Sequence, residues 1–435
     1  MKKIIFLVSL FLIPFIGVNA VEKSIDDFSY GINGKPILKT INVVMKDKES
    51  ESSILSTSAG IYILRNNNYT HIDIKGNIVG LNVIDDINSD SVKDIVYTVN
   101  NANEFYNLIA VDGNDGNIIW KTRITSSVFN QSAGFIDTNK NIYDLKIIDK
   151  YIYLIYDYTL EKIDYKTGKS LFKYEDKDNI WSVTGISDIN SDKNKDIVIG
   201  NQLGEVKALN SNNGKVIWNS KIVNQFLTKN KVEVKRNIWQ VLFYNDILYA
   251  TGEDGKLYSI NYKNGKVLNS IVLYELNNSM FNDYYNVDSY RNGNLSPSGK
   301  NSTYFKAFEM YIIDDNKMAI TCFINSGNGG QYRKMKGITP TIKIIDLKEF
   351  KEQSSILLKE LTLKNVDILN YKGNLVVPVT LKDNKLVINE YSILTGDKIN
   401  NHEKSIDGII VADLNKVFLS NTSDNLLLEG YNTFS

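Results

Sequence analysis

Two stretches of the 435-residue chain carry acidic and amide side chains at one repeated spacing. In "DINSDSVKDIVYT" the residues Asp86, Asn88, Asp90 and Asp94 stand at offsets 1, 3, 5 and 9, and in "DINSDKNKDIVIG" the residues Asp188, Asn190, Asp192 and Asp196 do the same. Asp and Asn at alternate positions of a tight turn aim their oxygens at one point, and calcium takes about six to eight oxygens at about 2.3–2.6 Å. The backbone carbonyls of Val92 and Asn194, at offset 7, can add a ligand. The expected calcium sets are therefore Asp86, Asn88, Asp90, Val92 and Asp94, and Asp188, Asn190, Asp192, Asn194 and Asp196. The competing reading is an Asx-rich turn satisfied by its own amides. Three carboxylates so close repel without a cation, and the motif occurs twice, which favours calcium. Offset 12 holds Tyr97 and Ile199 in place of the EF-hand Glu, and the alternating "DIVYT" and "DIVIG" predict strands. Ser91 and Lys193 stand where such loops usually place Gly, which weakens the expected affinity.

Other chemistry is sparse. His71 lies in the alternating "THIDI" and His402 in the polar "NNHEK", with no Ser or Cys motif beside either, so both read as ordinary strand or surface residues. Cys322 in "MAITCFI" is the only cysteine and reads as a buried strand thiol. No catalytic residue is assigned. Carboxylates for a polysaccharide lyase or glycosidase are plentiful, but sequence does not select a pair among 50 acids.

The elements that position these residues repeat. "NLIAVDGNDGNIIWKTRI", "TLEKIDYKTGKSLFKYE", "GEVKALNSNNGKVIWNSKI" and "GKLYSINYKNGKVLNSIVL" each read as an apolar strand, a turn ending in Gly and a second strand. The turn glycines Gly116, Gly168, Gly214 and Gly265 are 52, 46 and 51 residues apart, the length of one four-stranded propeller blade. Fainter copies place Gly396, Phe350 and Tyr69 in the turn. The 85 residues from Gly265 to Phe350 are explained by an insert at 274–303. The expected fold is all-β, a single propeller of four-stranded blades over residues 21–435, with eight blades and seven as the alternative. The last blade would combine both chain ends. Trp181 and Trp239 each stand seven residues before an aspartate at the first turn of their blades, so they are expected at equivalent interblade positions, with an aromatic pocket as the alternative.

The hairpins, especially "DGNDGNIIW" and "NSNNGKVIW", resemble the quinoprotein-like (PQQ-like) repeat with its Gly-x-x-x-Trp ending, here Gly116 to Trp120 and Gly214 to Trp218. In that family the Trp docks between neighbouring blades; Phe172 and Asn269 take its place in two other repeats. The family's quinone-dependent dehydrogenases carry an adjacent cysteine pair, so no PQQ is expected here. The aspartate loops are similar to the FG-GAP repeat of integrin α chains. In repeat type the chain is also similar to the propeller scaffold of outer-membrane barrel assembly.

Lys2, Lys3, the apolar run to Val18 and the Val18-Asn19-Ala20 ending predict a signal peptide over 1–20, cleaved after Ala20, with an uncleaved anchor as the alternative. The protein is then secreted or extracytoplasmic, with no membrane span after cleavage. Fifty basic residues balance fifty acidic ones, and losing Lys2 and Lys3 leaves the mature chain near −2, which argues against nucleic acid as a partner. Phe281, Tyr284, Tyr285, Tyr290 and Arg291 in the insert, with Tyr332 and Arg333 beyond it, have the Tyr and Arg content of a recognition surface. The alternative is an idle Asn-rich insertion. The function expected is a monomeric, non-enzymatic propeller that binds a protein or glycan at the cell surface, stiffened by calcium; a carbohydrate-active enzyme is the alternative.

Overall fold

The computed structural model describes residues 37–44, 51–57, 60–65, 68–74, 77–100, 107–130, 134–139, 142–224, 226–227, 233–234, 236–275, 302–327, 338–358, 369–371, 374–382, 385–405, 418–422 and 425–429. The expected signal peptide lies outside them, as do 276–301 of the insert with Phe281, Tyr284, Tyr285, Tyr290 and Arg291, and also Tyr332 and Arg333. No helix among the described residues is long and apolar enough to cross a membrane.

Among the described residues, strands pair antiparallel, in chain order, into seven four-stranded sheets. The second sheet comprises Asn77–Ile84, Asp94–Asn100, Leu108–Val111 and Ile118–Thr122. The first comprises Ile37–Val44, Glu51–Thr57, Gly60–Arg65 and Asn68–Asp73; the third Asp144–Ile148, Tyr151–Tyr156, Thr159–Asp164 and Ser170–Glu175; the sixth Ser302–Asp314, Lys317–Gly327, Ile338–Asp346 and Lys351–Leu357; and the seventh Leu369–Tyr371, Asn374–Lys382, Lys385–Ser392 and Lys398–Ser405. The fourth comprises Ile180–Ile186, Asp196–Asn201, Glu205–Leu209 and Val216–Lys221, and the fifth Ile238–Tyr244, Ile247–Gly252, Lys256–Asn261 and Val267–Val272. A two-stranded hairpin, Phe418–Thr422 with Asn425–Glu429, stands where an eighth blade was expected. Its first strand lies against the first strands of the first and seventh sheets. The chain divides into two compact units, 174–365 with 392–397 forming one and the remainder the other.

Burial explains the sequence pattern. The inner strands are buried at every residue of Leu108–Val111 and Asp196–Asn201, whereas the fourth strands alternate between exposed and half-buried residues or are mostly exposed. An inner strand is covered on both faces, and its alternate residues serve two different cores. Ile95 and Tyr97 pack with Ile61 and Ile63 of the first sheet, while the intervening Val96 packs with Ile152 and Leu154 of the third. Likewise Leu248 and Ala250 pack with Val198 and Val206, while Tyr249 packs with Phe305 and Met318. Each core is thus shared by consecutive sheets.

Every turn glycine lies between the third and fourth strands of a different sheet. Gly116, Gly168, Gly214, Gly265 and Gly396 all have positive φ, and Phe350 takes φ 48° at the same place. Tyr69 does not. It sits inside the strand Asn68–Asp73, opposite Leu64, and so already belongs to the fourth strand of the first sheet. The insert also ends sooner than expected, since Ser302 already opens the strand Ser302–Asp314.

The glycines do more than turn the chain. Trp120 Nε1 donates to Tyr165 O at 2.8 Å, and a Cβ on Gly168 would come 2.5 Å from Trp120 Cε3. Trp218 repeats the arrangement: its Nε1 donates to Tyr262 O at 2.9 Å, and a Cβ on Gly265 would lie 2.6 Å from its Cε3. Each indole is therefore seated on the turn of the following sheet. Gly265→Ala should cost about 2 kcal/mol, from the left-handed backbone and from displacing the indole. In a Trp218→Ala background the same change should cost less, because only the backbone part remains. Urea unfolding of the four proteins measures this, and equal costs in both backgrounds would contradict the seating.

Candidate metal loops and the buried network beside them

Each aspartate loop joins the first and second strands of its sheet and bends back on the hairpin turn between the third and fourth. In the first loop Asp86 accepts N–H bonds from Ser89 (2.6 Å) and Ser91 (2.9 Å), Asn88 accepts from Asp90 N, and Asp90 from Val92 N. In the second, Asp188 accepts from Asn190, Ser191 and Lys193, Asn190 from Asp192 N, and Asp192 from Asn194 N. These bonds hold the chain at positive φ twice in each loop, at Ser89 (70°) and Ser91 (74°) and at Ser191 (65°) and Lys193 (72°). The strain foreseen at Ser91 and Lys193 is real, and both loops take it at the same offsets.

The offset-9 aspartates are fully buried. Asp94 accepts from Ile87 N at 2.7 Å and from Gly113 N at 3.2 Å; Asp196 accepts from Ile189 N at 3.0 Å and Ser211 N at 3.3 Å. Each thereby ties its loop to the hairpin turn of its own sheet. Asn88 reaches Asp112 in the same way, and Asn210 and Asn212 donate to Asp192. Burial raises the Asp94 carboxyl to about 6, against the N–H bonds from Ile87 and Gly113, with the charges of Asp112 and Asp86 adding to the rise. Burial also raises Asp196, and the charges of Asp192 and Asp188 assist. Half-buried Asp192 is lowered, chiefly by the Asn194 N–H. Val92 is buried and Asn194 exposed.

Among the described residues no three His, Cys, Asp or Glu side chains gather as a metal-holding group. Many of the loop oxygens face the loop's own amides. The donor set nevertheless suits a hard cation: carboxylates and amide oxygens alone, with a buried carboxylate under like-charge pressure in each loop.

In the fifth sheet the aspartate loop is replaced by a two-residue turn, Asn245 and Asp246, at φ 48° and 57°. Trp181 and Trp239 occupy the second position of their first strands, both at a register shift, and their rings lie 5.7 Å apart. Trp239 is buried in the core shared with the sixth sheet and donates to Phe305 O at 3.1 Å. They are interblade residues. Trp181 Nε1 donates to Asn237 Oδ1 (2.7 Å), and Asn237 N and Nδ2 both donate to Glu253 Oε2 (2.8 and 2.6 Å). Sequence reasoning missed Glu253, which sits in "GEDGK" like an exposed turn residue yet is 6% exposed. Burial raises its carboxyl to about 7, although the Asn237 bonds and the charges of Arg236 and Lys306 act the other way.

A second buried cluster was also unforeseen. Lys207 Nζ lies 2.6 Å from Asp176 Oδ1 and 2.9 Å from Glu205 Oε2, and Asn201 Nδ2 donates to both acids. Burial alone would lower the Lys207 ammonium, but its bonds to Asp176 and Glu205 and the charge of Asp176 push it up to about 12. Cys322 is a buried strand thiol, as expected, and burial raises it to about 12.

Four-stranded sheets in chain order, cores shared by consecutive sheets, and two indoles, Trp120 and Trp218, each seated on the turn of the following sheet define a β-propeller. Its repeats are PQQ-like: residues 90–278 match the family described as outer membrane protein assembly factor BamB, a little under half of the chain. The fold is similar to that of BamB from Moraxella catarrhalis, at 13% identity and a TM-score of 0.51, covering 92% of this chain and 98% of that one. It is equally similar to the computationally designed Ika8 protein, at 13% identity and a TM-score of 0.52, covering 92% and 94%. No curated protein matches the chain.

Proposed function

We propose that this chain is a non-enzymatic scaffold propeller working outside the cytoplasm, where it holds a protein partner at the cell envelope. The family match over residues 90–278 carries this reading, because the protein described by that family is an assembly factor. The signal-like segment of residues 1–20 supplies the route. The insert and the stretch around Tyr332 and Arg333 supply the candidate recognition surface. Cross-linking in the native envelope, followed by purification of the full chain, should yield a discrete protein partner. Deleting 278–301 behind a short Gly-Ser bridge should abolish that cross-link while leaving the melting temperature nearly unchanged. Recovery of the chain from the cytoplasm, without any stoichiometric partner, would count against the reading.

Calcium is the second part of the proposal, with Asp86, Asn88, Asp90, Val92 and Asp94 in one loop and Asp188, Asn190, Asp192, Asn194 and Asp196 in the other. Support comes from the identical offsets, the matching pair of positive-φ residues and the buried offset-9 carboxylate in each loop. A bound calcium would neutralise the crowded carboxylates and fix the turn. A ligand that binds only the folded state adds about 2.7 kcal/mol per site at a hundredfold excess over its dissociation constant. Calcium should therefore raise the melting temperature, magnesium should substitute poorly, and Asp90→Ala and Asp192→Ala should remove separate, nearly additive parts of the gain. Identical melting curves in millimolar calcium and in chelator leave the loops as plain Asx turns.

A further inference from the structure

Among the described residues the fourth strand of each sheet is an edge, with a neighbour on one side. Six of these seven edges carry at least one charged residue, such as Asp73, Lys121, Lys173, Lys221, Lys351 and Lys398. A charge on an edge strand discourages another chain from adding to it. The fifth sheet departs from this pattern, because its edge Val267–Val272 reads "VLNSIV" and has no charge. It is also bare. Exposed Asn269 stands where the half-buried Trp120, Phe172 and Trp218 stand in other sheets, and Val267, Leu268 and Val272 are 37%, 51% and 49% exposed.

The strand is nearly symmetric end to end. Ile260 pairs with Val267 and Ser259 with Asn269, so Leu268 is a bulged extra residue. Just beyond the strand Leu273 N donates inward to Gly255 O at 2.8 Å. Peptide groups alternate in direction along an antiparallel strand, so Ile271 and Asn269 also face inward, while Val272, Ser270 and, past the bulge, Val267 face outward. Ser270 N agrees with this, donating to the side chain of its own neighbour, Asn269 Oδ1, at 2.8 Å. The outward row is apolar at both ends and centred on Ser270. The same bulge occurs in the fourth strands of the second and fourth sheets, so it is the missing charge that sets this edge apart.

We propose that this edge pairs antiparallel with the same edge of a second copy of the chain, joining two fifth sheets into one continuous sheet. A two-fold interface requires a patch that complements itself, and an axis at Ser270 sets Val267 of each copy opposite Val272 of the other, with Ser270 opposite its own counterpart. Charge fixes the direction. Exposed Lys266 precedes the strand and exposed Glu275 follows it, so antiparallel pairing brings opposite charges together at both ends, whereas parallel pairing sets like against like. One short ribbon falls below the about 1,200–2,000 Å² of a standard stable interface, so the association is reversible and depends on concentration. The chain, expected from its sequence to be a monomer, then exchanges between monomer and dimer. The proposal is independent of the envelope partner and of calcium, and each can fail without the others.

Sedimentation velocity of the full chain, from micromolar to near-millimolar concentration, tests the proposal. The boundary should move from monomer to dimer and no further, since each copy offers one such edge. Val267→Lys and Val272→Glu should each weaken the dimer about tenfold or more, because the symmetry repeats each change at two places. An equimolar mixture of these two variants should dimerise more tightly than either alone, because the new lysine of one chain faces the new glutamate of the other. Ser270→Pro removes an outward donor that the third strand does not use, so it should melt close to the wild type and stay monomeric, which gives a reading even if a charged variant unfolds. A wild-type chain that stays monomeric throughout overturns the proposal; if Ser270→Pro then also loses the envelope cross-link, the edge belongs to that partner instead. Well-folded variants that dimerise as tightly as wild type, or a mixture no tighter than its components, overturn it equally.

Discussion

Replacing Lys207 by methionine should destabilise the protein by about 3–5 kcal/mol, the cost of leaving a buried charge without its partner. The lysine side chain is 7% exposed and Asp176 beside it is fully buried, so water cannot take over the pairing. Asn201 donates to both acids but carries no charge to offset theirs. The Asp176 carboxylate is then left buried without a cation. The double change Lys207→Met with Asp176→Leu should recover part of the loss, because an apolar pair removes the stranded charge. Chemical denaturation of the three proteins at neutral pH measures both effects. A single mutant within 1 kcal/mol of wild type at neutral pH would show that the cluster is hydrated.

Glu253 should make stability fall as pH rises. Below the unfolded value of 4.5 the carboxyl is neutral in both states and nothing is lost. Between 4.5 and about 7 the unfolded chain releases the proton while the folded chain keeps it, so stability declines through that window and is level above it. The span corresponds to roughly 3 kcal/mol. Glu253→Gln keeps an oxygen for Asn237 N and Nδ2 but has nothing to ionise. Relative to wild type it should gain stability from pH 4.5 to about 7, and a difference that stays constant across that window would rule out a titrating Glu253. The link from Asn237 to Trp181 offers an optical check, because indole fluorescence should follow the same titration.

The repeat was legible because a turn that requires positive φ favours Gly, and Gly116, Gly168, Gly214, Gly265 and Gly396 mark their sheets without any knowledge of packing. Phe350 was found by alignment with them, and Tyr69 was misplaced because "RNNNYT" offers three amides and no glycine to fix the turn. The aspartate offsets were legible for the same local reason. Their attachment to Gly113 N and Ser211 N was not, since it depends on the second and third strands pairing first. Glu253 was hidden by its neighbours: Asp254, Gly255 and Lys256 make the stretch look solvated, whereas the backbone places adjacent side chains in opposite surroundings.

The seating of Trp120 over Gly168 and of Trp218 over Gly265 has a direction, each sheet giving an indole and the next receiving it on a glycine. A duplicated segment running from one turn to the next carries both halves of this fastening, so the new copy fits its neighbours on arrival and no compensating change elsewhere is needed. Loss of one indole, as where Asn269 follows Gly265, weakens a single junction and leaves the others intact. A chain built this way can lengthen by copying and diverge one joint at a time.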